Sequence, residues 1–322
     1  MKKIKKRMLK PLLTVIDFFF LGYFHLTRML VYVIPPSILY AMYAGLGYAL
    51  YYMMPGGRKR AYNVISQAMP EVTDPERIRR IARKSASELF KSMLDLAMFA
   101  RHGDRMAREL TIEGLDAVDK LLEKGKGGIC IPAHIGGWAI AMGLMARHGY
   151  LSTPIVMNPS STLTPRLIKT VIDFADSIGA SNGYIMTGEN AIGKSRELVE
   201  QGGILVLTVD VVGREIVEMF GRPTALASGA GHFAFETKAP VVPIVIQREK
   251  GSYKFRIIFH EAIDYTITGD RATDVHNILQ ASMAAIEKQI RLTPEQWTQW
   301  SALGRWWSRA EELKKRREKA NK

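Results

Sequence analysis

The chain has only one cysteine, which limits both its covalent structure and its chemistry. Cys130 has no second cysteine to pair with, so the fold does not depend on an intramolecular disulfide. It lies in the apolar run of residues 128–132, which predicts a buried strand, and burial in apolar surroundings raises the pKa of a thiol. We therefore expect Cys130 to be a core residue of a protein in a reducing compartment, and not a nucleophile.

Acidic side chains are also scarce: 31 Asp and Glu stand against 45 Lys and Arg, which gives a formal net charge of +14. Such an excess predicts an anionic partner, which could be nucleic acid, anionic lipid or an acidic carrier protein. Many of the cations lie within residues 2–10 and 314–322. The first cluster directly precedes an apolar stretch, which is typical of a segment beside a membrane. The second fits a solvated terminus equally well. No recognised nucleic-acid motif accompanies the charge, so we expect no nucleic-acid partner.

Neither of the two apolar segments near the N-terminus has the composition of a typical membrane-spanning helix. Residues 11–34 are mostly apolar but contain Asp17, His25 and Arg28, and residues 36–54 carry no charge but include five tyrosines. Because charged groups are costly in hydrocarbon, we expect the first segment to be an uncleaved anchor that enters one leaflet. The second is expected at the interface or against the folded domain. A cleaved signal peptide is the competing interpretation, but no small-residue cleavage site follows promptly.

Basic residues before the anchor predict an N-terminus in the cytoplasm. If the segment crossed the membrane, the remainder could lie on either side; because we expect it to enter one leaflet only, we expect the protein on the cytoplasmic face of the inner (plasma) membrane. From residue 127 onwards, short apolar strands alternate with helices, which predicts an α/β fold with a mostly parallel central sheet flanked by helices. An N-terminal membrane-associated helical segment precedes it. We divide the chain into anchoring helices (1–57), an α/β domain (58–292) and a Trp-rich, basic tail (293–322). Predicted strands cover 127–132, 153–157, 183–186, 203–209, 241–247 and 253–259, and predicted helices cover 74–100, 115–123, 138–148, 165–178, 193–200, 228–237 and 274–291.

A histidine follows the first strand of this region. Residues 132–138 have the sequence PAHIGGW, so His134 lies between a strand end and a helix start, where α/β folds place ligands. A histidine there can take a proton from an attacking hydroxyl near neutral pH. Gly136 and Gly137 let the backbone approach a substrate, and N–H groups at the helix start can stabilise an oxyanion. The alternative is a loop histidine that caps its neighbours.

Three further segments have the composition of a binding site. Asp210 ends the apolar run 203–209 and is either a site carboxylate or a turn residue. Phe220, Gly221 and Arg222 form a turn that offers an apolar wall beside a cation, which suits an acyl chain next to a phosphate, although a structural turn has the same composition. Four of the five tryptophans lie within residues 297–307. They either meet a membrane interface or pack a helix on the core.

Together these segments resemble the lysophospholipid acyltransferase superfamily, and within it the lauroyl/myristoyl acyltransferases of lipid A biosynthesis. The resemblance extends from residues 60–71 to residues 294–297. It rests on the order of several motifs: His-x-x-x-x-Asp/Glu, a basic residue in the next block, a strand-end acid, Phe-Phe-Gly-x-Pro, and Pro-Glu-Gln-Trp. It implies an O-acyltransferase that moves a fatty acyl chain from acyl carrier protein or acyl-CoA onto a glycolipid or lipid A-type acceptor. No cofactor and no metal is implied.

Carried over to this chain, the resemblance makes His134 the catalytic base and Arg166 the residue that holds a phosphate. Asp210 matches the strand-end acid, and Gly221 with Pro223 matches the glycine turn. The implied partners are the membrane lipid acceptor, acyl carrier protein and the membrane surface. The predicted substrate-binding residues are Gly136, Gly137, Arg166, Phe220, Gly221 and Arg222.

One position departs from the resemblance. The acid of the histidine motif would occupy position 139, where this chain has Ala139, and Gly137 replaces the usual Asn. That acid orients the histidine, and loss of the comparable acid in serine proteases costs about 10⁴ in rate. Ala139 is either an engineered, inactivating replacement of Glu, which we favour, or a natural loss for which Asp210 is the nearest substitute. A chain without activity would be a non-catalytic lipid-binding member of the same fold.

Overall fold

The structure is a computed structural model that describes residues 2–122, 127–150, 152–181, 183–188, 190–249 and 254–320, without the side chains of residues 2–10, 12 and 121. Some predicted features therefore lie outside the described residues. These are the basic side chains within 2–10, residues 321–322 of the C-terminal cluster, the end of the helix predicted at 115–123 and the start of the strand predicted at 253–259.

The described residues form eleven α-helices and nine strands, numbered here in chain order. The helices are α1 (Lys2–Leu30), α2 (Pro36–Met53), α3 (Pro55–Ala68), α4 (Pro75–Arg108), α5 (Leu115–Leu122), α6 (Ala141–Ala146), α7 (Pro165–Ser177), α8 (Ala191–Glu200), α9 (Gly229–Thr237), α10 (Arg271–Leu292) and α11 (Trp300–Ala320). The strands are β1 (Thr111–Glu113), β2 (Gly128–Pro132), β3 (Ser152–Val156), β4 (Ile185–Met186), β5 (Ile204–Val206), β6 (Val212–Met219), β7 (Arg222–Leu226), β8 (Val241–Arg248) and β9 (Phe255–Phe259).

Seven of these strands form the central sheet, in the order β1-β9-β8-β2-β5-β3-β4. All neighbouring pairs are parallel except β8 and β9, which are antiparallel. This confirms the predicted α/β fold with a mostly parallel sheet. Side chains of the central strand β2 alternate between two apolar clusters: Ile129 and Ile131 belong to one and Cys130 to the other. Cys130 is fully buried, as predicted, and burial raises the pKa of its thiol to about 12.

Each helix and strand predicted from residue 74 onwards has a counterpart in the structure, but several elements were not predicted. The strands β6 and β7 form a separate antiparallel hairpin where the sequence suggested only a turn. Charged residues within residues 212–219 hide the apolar pattern of β6. At the tip, Phe220 and Gly221 have φ angles of 55° and 67°. Two positive φ angles in succession are what a tight hairpin turn requires.

Two charged residues of α1, Asp17 and Arg28, contact other parts of the protein. Asp17 is 1% exposed, and its carboxylate accepts hydrogen bonds from the backbone N–H groups of Arg166 (3.1 Å) and Leu167 (3.0 Å) at the start of α7. The guanidinium of Arg28 lies 4.1 Å from the ring centre of Phe174, also in α7. Asp17 thus supplies α7 with a capping carboxylate from a distant part of the chain.

The outer side of α1 is apolar and exposed. Phe18, Phe19 and Met29 are 54%, 70% and 68% exposed. The segment Leu13–Leu30 is long and apolar enough to cross a membrane, by length and composition. Because Asp17 and Arg28 have partners inside the protein, this outer surface can contact lipid without exposing either charge to hydrocarbon.

The helix α2 packs against α4 along one side and leaves its other side exposed. Leu39, Tyr43 and Gly47 are buried, whereas Met42 and Leu46 are 48% and 43% exposed. Gly47 marks the closest approach, because a Cβ atom there would lie 2.6 Å from the Cα atom of Ser87 in α4. Of the two positions predicted for this segment, the structure therefore shows packing on the domain.

The C-terminal tryptophans are buried as well. Trp297 and Trp300 are 0% and 1% exposed, and Trp306 and Trp307 are each 4% exposed. All four join the apolar cluster that contains Ile129 of the sheet. This favours the predicted alternative in which the tail packs as a helix on the core, and it means that the tail from residue 293 shares its core with the α/β domain.

Two glycines of α2 offer a test of the contact between α2 and α4. Gly47→Ala is expected to lower the free energy of unfolding by about 2 kcal/mol, because the added methyl group overlaps the α4 backbone. Gly45→Ala is the matched control: a Cβ there meets no atom within 4 Å, so the better helix propensity of Ala should raise stability by up to about 1 kcal/mol. Denaturant unfolding of both variants measures the difference, and equal effects would contradict the packing described here.

Candidate functional site

The predicted site residues follow neighbouring parallel strands. His134 lies two positions after β2, Asp210 lies four positions after β5, and Arg166 lies in the first turn of α7, the helix that follows β3. Since β2, β5 and β3 are adjacent and parallel, their carboxyl ends lie at one edge of the sheet. The fold therefore brings these three segments to the same edge.

His134 and Asp210 are in direct contact. Nδ1 of the imidazole lies 2.8 Å from Oδ1 of Asp210, and the backbone N–H of His134 donates to Oδ2 at 2.9 Å. The indole Nε1–H of Trp297 donates to the same Oδ2 at 2.8 Å. Asp210 is 1% exposed, so these three donors satisfy a buried carboxylate. A carboxylate only accepts, which places the imidazole hydrogen on Nδ1 and leaves the lone pair of Nε2 as the free acceptor.

The segment after α10 forms hydrogen bonds with the main chain of residues 134–137, which we call the histidine turn. The carbonyl oxygen of His134 accepts hydrogen bonds from the N–H (3.0 Å) and the hydroxyl (3.2 Å) of Thr298. Ile135 forms an isolated antiparallel bridge with Trp297. The Pro-Glu-Gln-Trp motif therefore has a structural role that we did not predict. It contacts the carboxylate of Asp210 and the backbone beside His134.

The two glycines after His134 do not have the role that the sequence predicted. The N–H of Gly136 donates to the carbonyl of Gln296 at 3.2 Å, and that of Gly137 donates to the carbonyl of Ile246 at 3.3 Å. Neither is free to hold an oxyanion. Gly136 has a φ of 54°, and a Cβ there would lie 2.3 Å from the carbonyl oxygen of Ile246. These glycines let the turn approach strand β8, and substrate binding by them stays a prediction.

Ala139 and Trp138 occupy the short 3-10 turn after the glycines. The rings of Trp138 and His134 have centroids 4.5 Å apart in an edge-to-face arrangement. The indole Nε1–H of Trp138 is buried and has no hydrogen-bond partner among the described residues. The position where the resemblance expects an acid thus carries a methyl group, while Asp210 occupies the Nδ1 side of the imidazole.

The remaining predicted residues contact other parts of the protein. Arg166 makes an ion pair with Asp17 at 3.6 Å, and its side chain is 52% exposed. Phe220 is 4% exposed and packs against Trp297, with ring centroids 5.9 Å apart. Arg222 bonds to the side chain of Gln67 and lies 4.2 Å from the ring centre of Trp307. Substrate binding by these residues and by Gly221 stays a prediction.

Among the described residues, no three His, Cys, Asp or Glu side chains are grouped so that they could hold a metal ion.

A buried charge network lies next to the turn that contains His134, and no motif in the sequence predicted it. Arg248, the last residue of β8, donates Nε–H to Glu88 at 2.9 Å and binds Asp95 through both terminal nitrogens at 2.9 and 2.5 Å. The hydroxyl of Tyr40 in α2 also donates to Asp95, at 2.7 Å, and Lys91 pairs with Glu88 at 2.8 Å. Its members lie far apart in the chain, so only the folded structure groups them.

The charges of this network balance one another in a water-poor environment. Burial acts to lower the pKa of Arg248, but Asp95 and Glu88 outweigh it and raise that pKa well above its usual range. Burial acts to raise the pKa of Glu88, but Arg248 and Lys91 leave it below its usual value. The network reaches the histidine turn through Gln296, whose side-chain oxygen accepts from the backbone N–H of Arg248 at 2.8 Å.

Removing the central cation tests how much this network contributes. Arg248→Met is expected to lower the free energy of unfolding by about 3–5 kcal/mol, because two buried carboxylates lose their principal partner. Arg256→Met in the adjacent strand β9 is the control: that side chain is 42% exposed and pairs with Glu113 at 2.9 Å, so its loss should cost under about 1 kcal/mol. If denaturant unfolding gave similar small losses for both variants, the network would not have the supporting role described.

The sequence is similar to acyltransferases of Mycobacterium tuberculosis. A phosphatidylinositol mannoside acyltransferase of Mycobacterium tuberculosis (strain H37Rv) is 29% identical over 201 residues, which are 60% of each chain, and the protein of the same name from strain CDC 1551 is 29% identical over 202 residues. The chain thus spans about 60% of the length of the curated relatives it matches.

A solved structure, the 1-acyl-sn-glycerophosphate acyltransferase PlsC from Thermotoga maritima, is 14% identical with a TM-score of 0.36. That comparison covers 82% of this chain and 99% of the other. The family model of the bacterial lipid A biosynthesis acyltransferases matches residues 1–306. This chain therefore belongs to the bacterial lipid A biosynthesis acyltransferase family, as its motifs indicated.

Proposed function

We propose that the protein is an O-acyltransferase that moves a fatty acyl chain from a thioester donor onto a hydroxyl of a glycolipid or lipid A-type acceptor. The donor is acyl carrier protein or acyl-CoA. The observation that carries the proposal is the His134–Asp210 pair, at 2.8 Å, in a member of this family. The mycobacterial relatives are named for acylating a phosphatidylinositol mannoside, which supports a glycolipid hydroxyl as the acceptor.

In the proposed reaction, Nε2 of His134 takes the proton of the acceptor hydroxyl, and the resulting alkoxide oxygen attacks the thioester carbonyl carbon. A C–O bond forms and the carbonyl oxygen becomes an oxyanion. When the carbonyl re-forms, the C–S bond breaks and the thiolate takes the proton from His134. The products are an ester and a free thiol. Asp210 holds the imidazole in the required tautomer and stabilises the imidazolium between the two proton transfers.

In this proposal, Asp210 replaces the acid expected at position 139. It is buried, it contacts Nδ1, and Trp297 fixes its orientation. The geometry thus favours a relocated acid over the inactivating replacement that the sequence led us to favour. The protein is then an active enzyme with Ala139 in place.

Trp138 replaces Gly136 and Gly137 as the proposed oxyanion donor. Its indole N–H has no partner among the described residues, and its ring lies next to the imidazole. A buried donor without a partner can bind a developing negative charge with little reorganisation.

A cavity of about 790 Å³ lies between α2, α3, α4 and α11, and Thr298, which bonds to the carbonyl of His134, is part of its wall. Its volume is within the usual range of ligand sites. The apolar side chains of Leu50, Val64 and Leu89 line it, which suits a fatty acyl chain. The exposed apolar surface of α1 supports a position at the membrane, on the cytoplasmic face of the inner membrane in our proposal.

The acid is tested with two variants in an acyl-transfer assay that follows thiol release and acylated lipid. Asp210→Asn is expected to lower the transfer rate by about 10⁴, because the amide can hold the imidazole in the wrong tautomer. Ala139→Glu is expected to give no gain. A rise of several orders of magnitude in Ala139→Glu would instead identify Ala139 as an inactivating replacement. Lipid binding without turnover in every variant would favour the non-catalytic alternative.

Trp138→Phe tests the oxyanion donor, since it removes the indole N–H but keeps an aromatic ring beside His134. The expected result is a fall in kcat of about 10²–10³ with a smaller change in KM, because the lost bond forms in the transition state. Trp307→Phe is the control: its Nε1–H is also buried without a partner among the described residues, but it belongs to α11 and lies beside Arg222. Equal losses of kcat in the two variants would rule out a specific role for Trp138.

A further inference from the structure

A second cavity, of about 670 Å³, lies where the end of α2, the start of α3 and the first turns of α4 meet. Five cations line it, together with three tyrosines and a single acid, Glu76. The cations are Arg58, Lys59, Arg79, Arg80 and Arg83. None of the residues proposed for acyl transfer lines this cavity, and neither the sequence motifs nor the proposed function accounts for it.

The cavity has an excess of positive charge that the protein does not neutralise. Glu76 pairs with Arg79 on the neighbouring turn. Within the described part of the chain, no carboxylate forms an ion pair with Arg58, Lys59 or Arg80. Bringing cations together without acids costs free energy, and an anionic ligand would offset that cost.

Arg83 adds a more specific feature. Its Nη1 donates to the hydroxyl of Tyr52 at 3.1 Å, but its Nε–H is buried and has no partner among the described residues. The helix α3 begins beside the cavity at Pro55, and its N-cap residue Met54 has no side chain that could cap it. The partial positive charge of this helix start therefore adds to that of the arginines.

The surroundings of the cavity indicate which anion it would bind. Leu50, Met53 and Met54, at the end of α2 and the start of α3, are 40%, 77% and 48% exposed. Apolar side chains next to a basic cluster are typical of a surface at the headgroup level of a membrane. Tyr51 and Arg58 line both this cavity and the apolar 790 Å³ cavity, so a phosphate bound here lies beside the proposed acyl-chain site.

We propose that this cavity binds the phosphate headgroup of an anionic phospholipid of the surrounding membrane, at a site separate from the His134–Asp210 pair. A phospholipid fits better than an acidic protein, because the cations line a concave site of ligand size beside exposed apolar side chains. The bound lipid holds α2, α3 and α4 at the membrane surface in a fixed orientation.

The test measures binding of the full-length chain to phosphatidylcholine vesicles with and without phosphatidylglycerol. Lys59→Gln with Arg80→Gln removes two exposed cavity cations. The matched control, Lys194→Gln with Lys288→Gln, removes two exposed cations of α8 and α10. The cavity variant should bind phosphatidylglycerol vesicles about 30-fold more weakly than the parent, and the control should stay within about threefold. Native mass spectrometry of the parent should show one retained phosphatidylglycerol, and no retained phosphatidylcholine.

Several results would overturn the proposal. Equal losses of vesicle binding in the two double variants would mean that the overall positive charge of the protein attracts the vesicles, without a specific lipid site. Saturation by inorganic phosphate, with no preference for the lipid, would identify free phosphate as the ligand. A loss of acyl carrier protein binding in the cavity variant, with phosphatidylglycerol binding unchanged, would make the cavity a protein-docking surface. Because all these measurements record binding and not acyl transfer, they remain decisive even if the proposed reaction is wrong.

Discussion

The site depends on one buried carboxylate. Asp210 accepts hydrogen bonds from the imidazole and the backbone of His134 and from the indole of Trp297, and it is almost inaccessible to solvent. An ionised carboxylate is stable in such a place only when its oxygens have donors, so these contacts require one another. This carboxylate, which follows β5, therefore connects His134 after β2 with Trp297 of the C-terminal segment. The imidazole is thereby oriented with Nε2 free.

The buried network around Arg248 extends this constraint to the helices α2 and α4. Tyr40 of α2 and Asp95 of α4 meet Arg248 at the end of β8, and Gln296 links that strand end to the turn after His134. The helices α2 and α4 are thus connected to the turn after His134 through hydrogen-bonded groups. In the proposed reaction the acceptor hydroxyl must come within hydrogen-bonding distance of Nε2, so a fixed position of His134 relative to α2 and α4 favours that reaction.

Asp17 and Arg28 of α1 also have partners within the protein. The carboxylate of Asp17 caps α7 from α1, and Arg28 lies over a ring of the same helix. Both would be costly in lipid, and both are instead used to dock α1 on the α/β domain. Several large apolar side chains of α1 and α2 are exposed, and the basic cavity lies at the end of α2 beside the exposed Met53 and Met54.

The sequence by itself determined the alternation of helices and strands, the buried Cys130 and the family, and it identified His134 and Asp210 as candidate site residues, because apolar periodicity and short motifs are local properties of the chain. It could not determine that Asp210 would bond to Nδ1 of His134, that the N–H groups of Gly136 and Gly137 would be occupied, or that Arg248 would meet Glu88 and Asp95. These contacts join residues 76 to 160 positions apart or depend on neighbouring strands. Only the packing of the sheet and its helices decides which distant groups share a buried space.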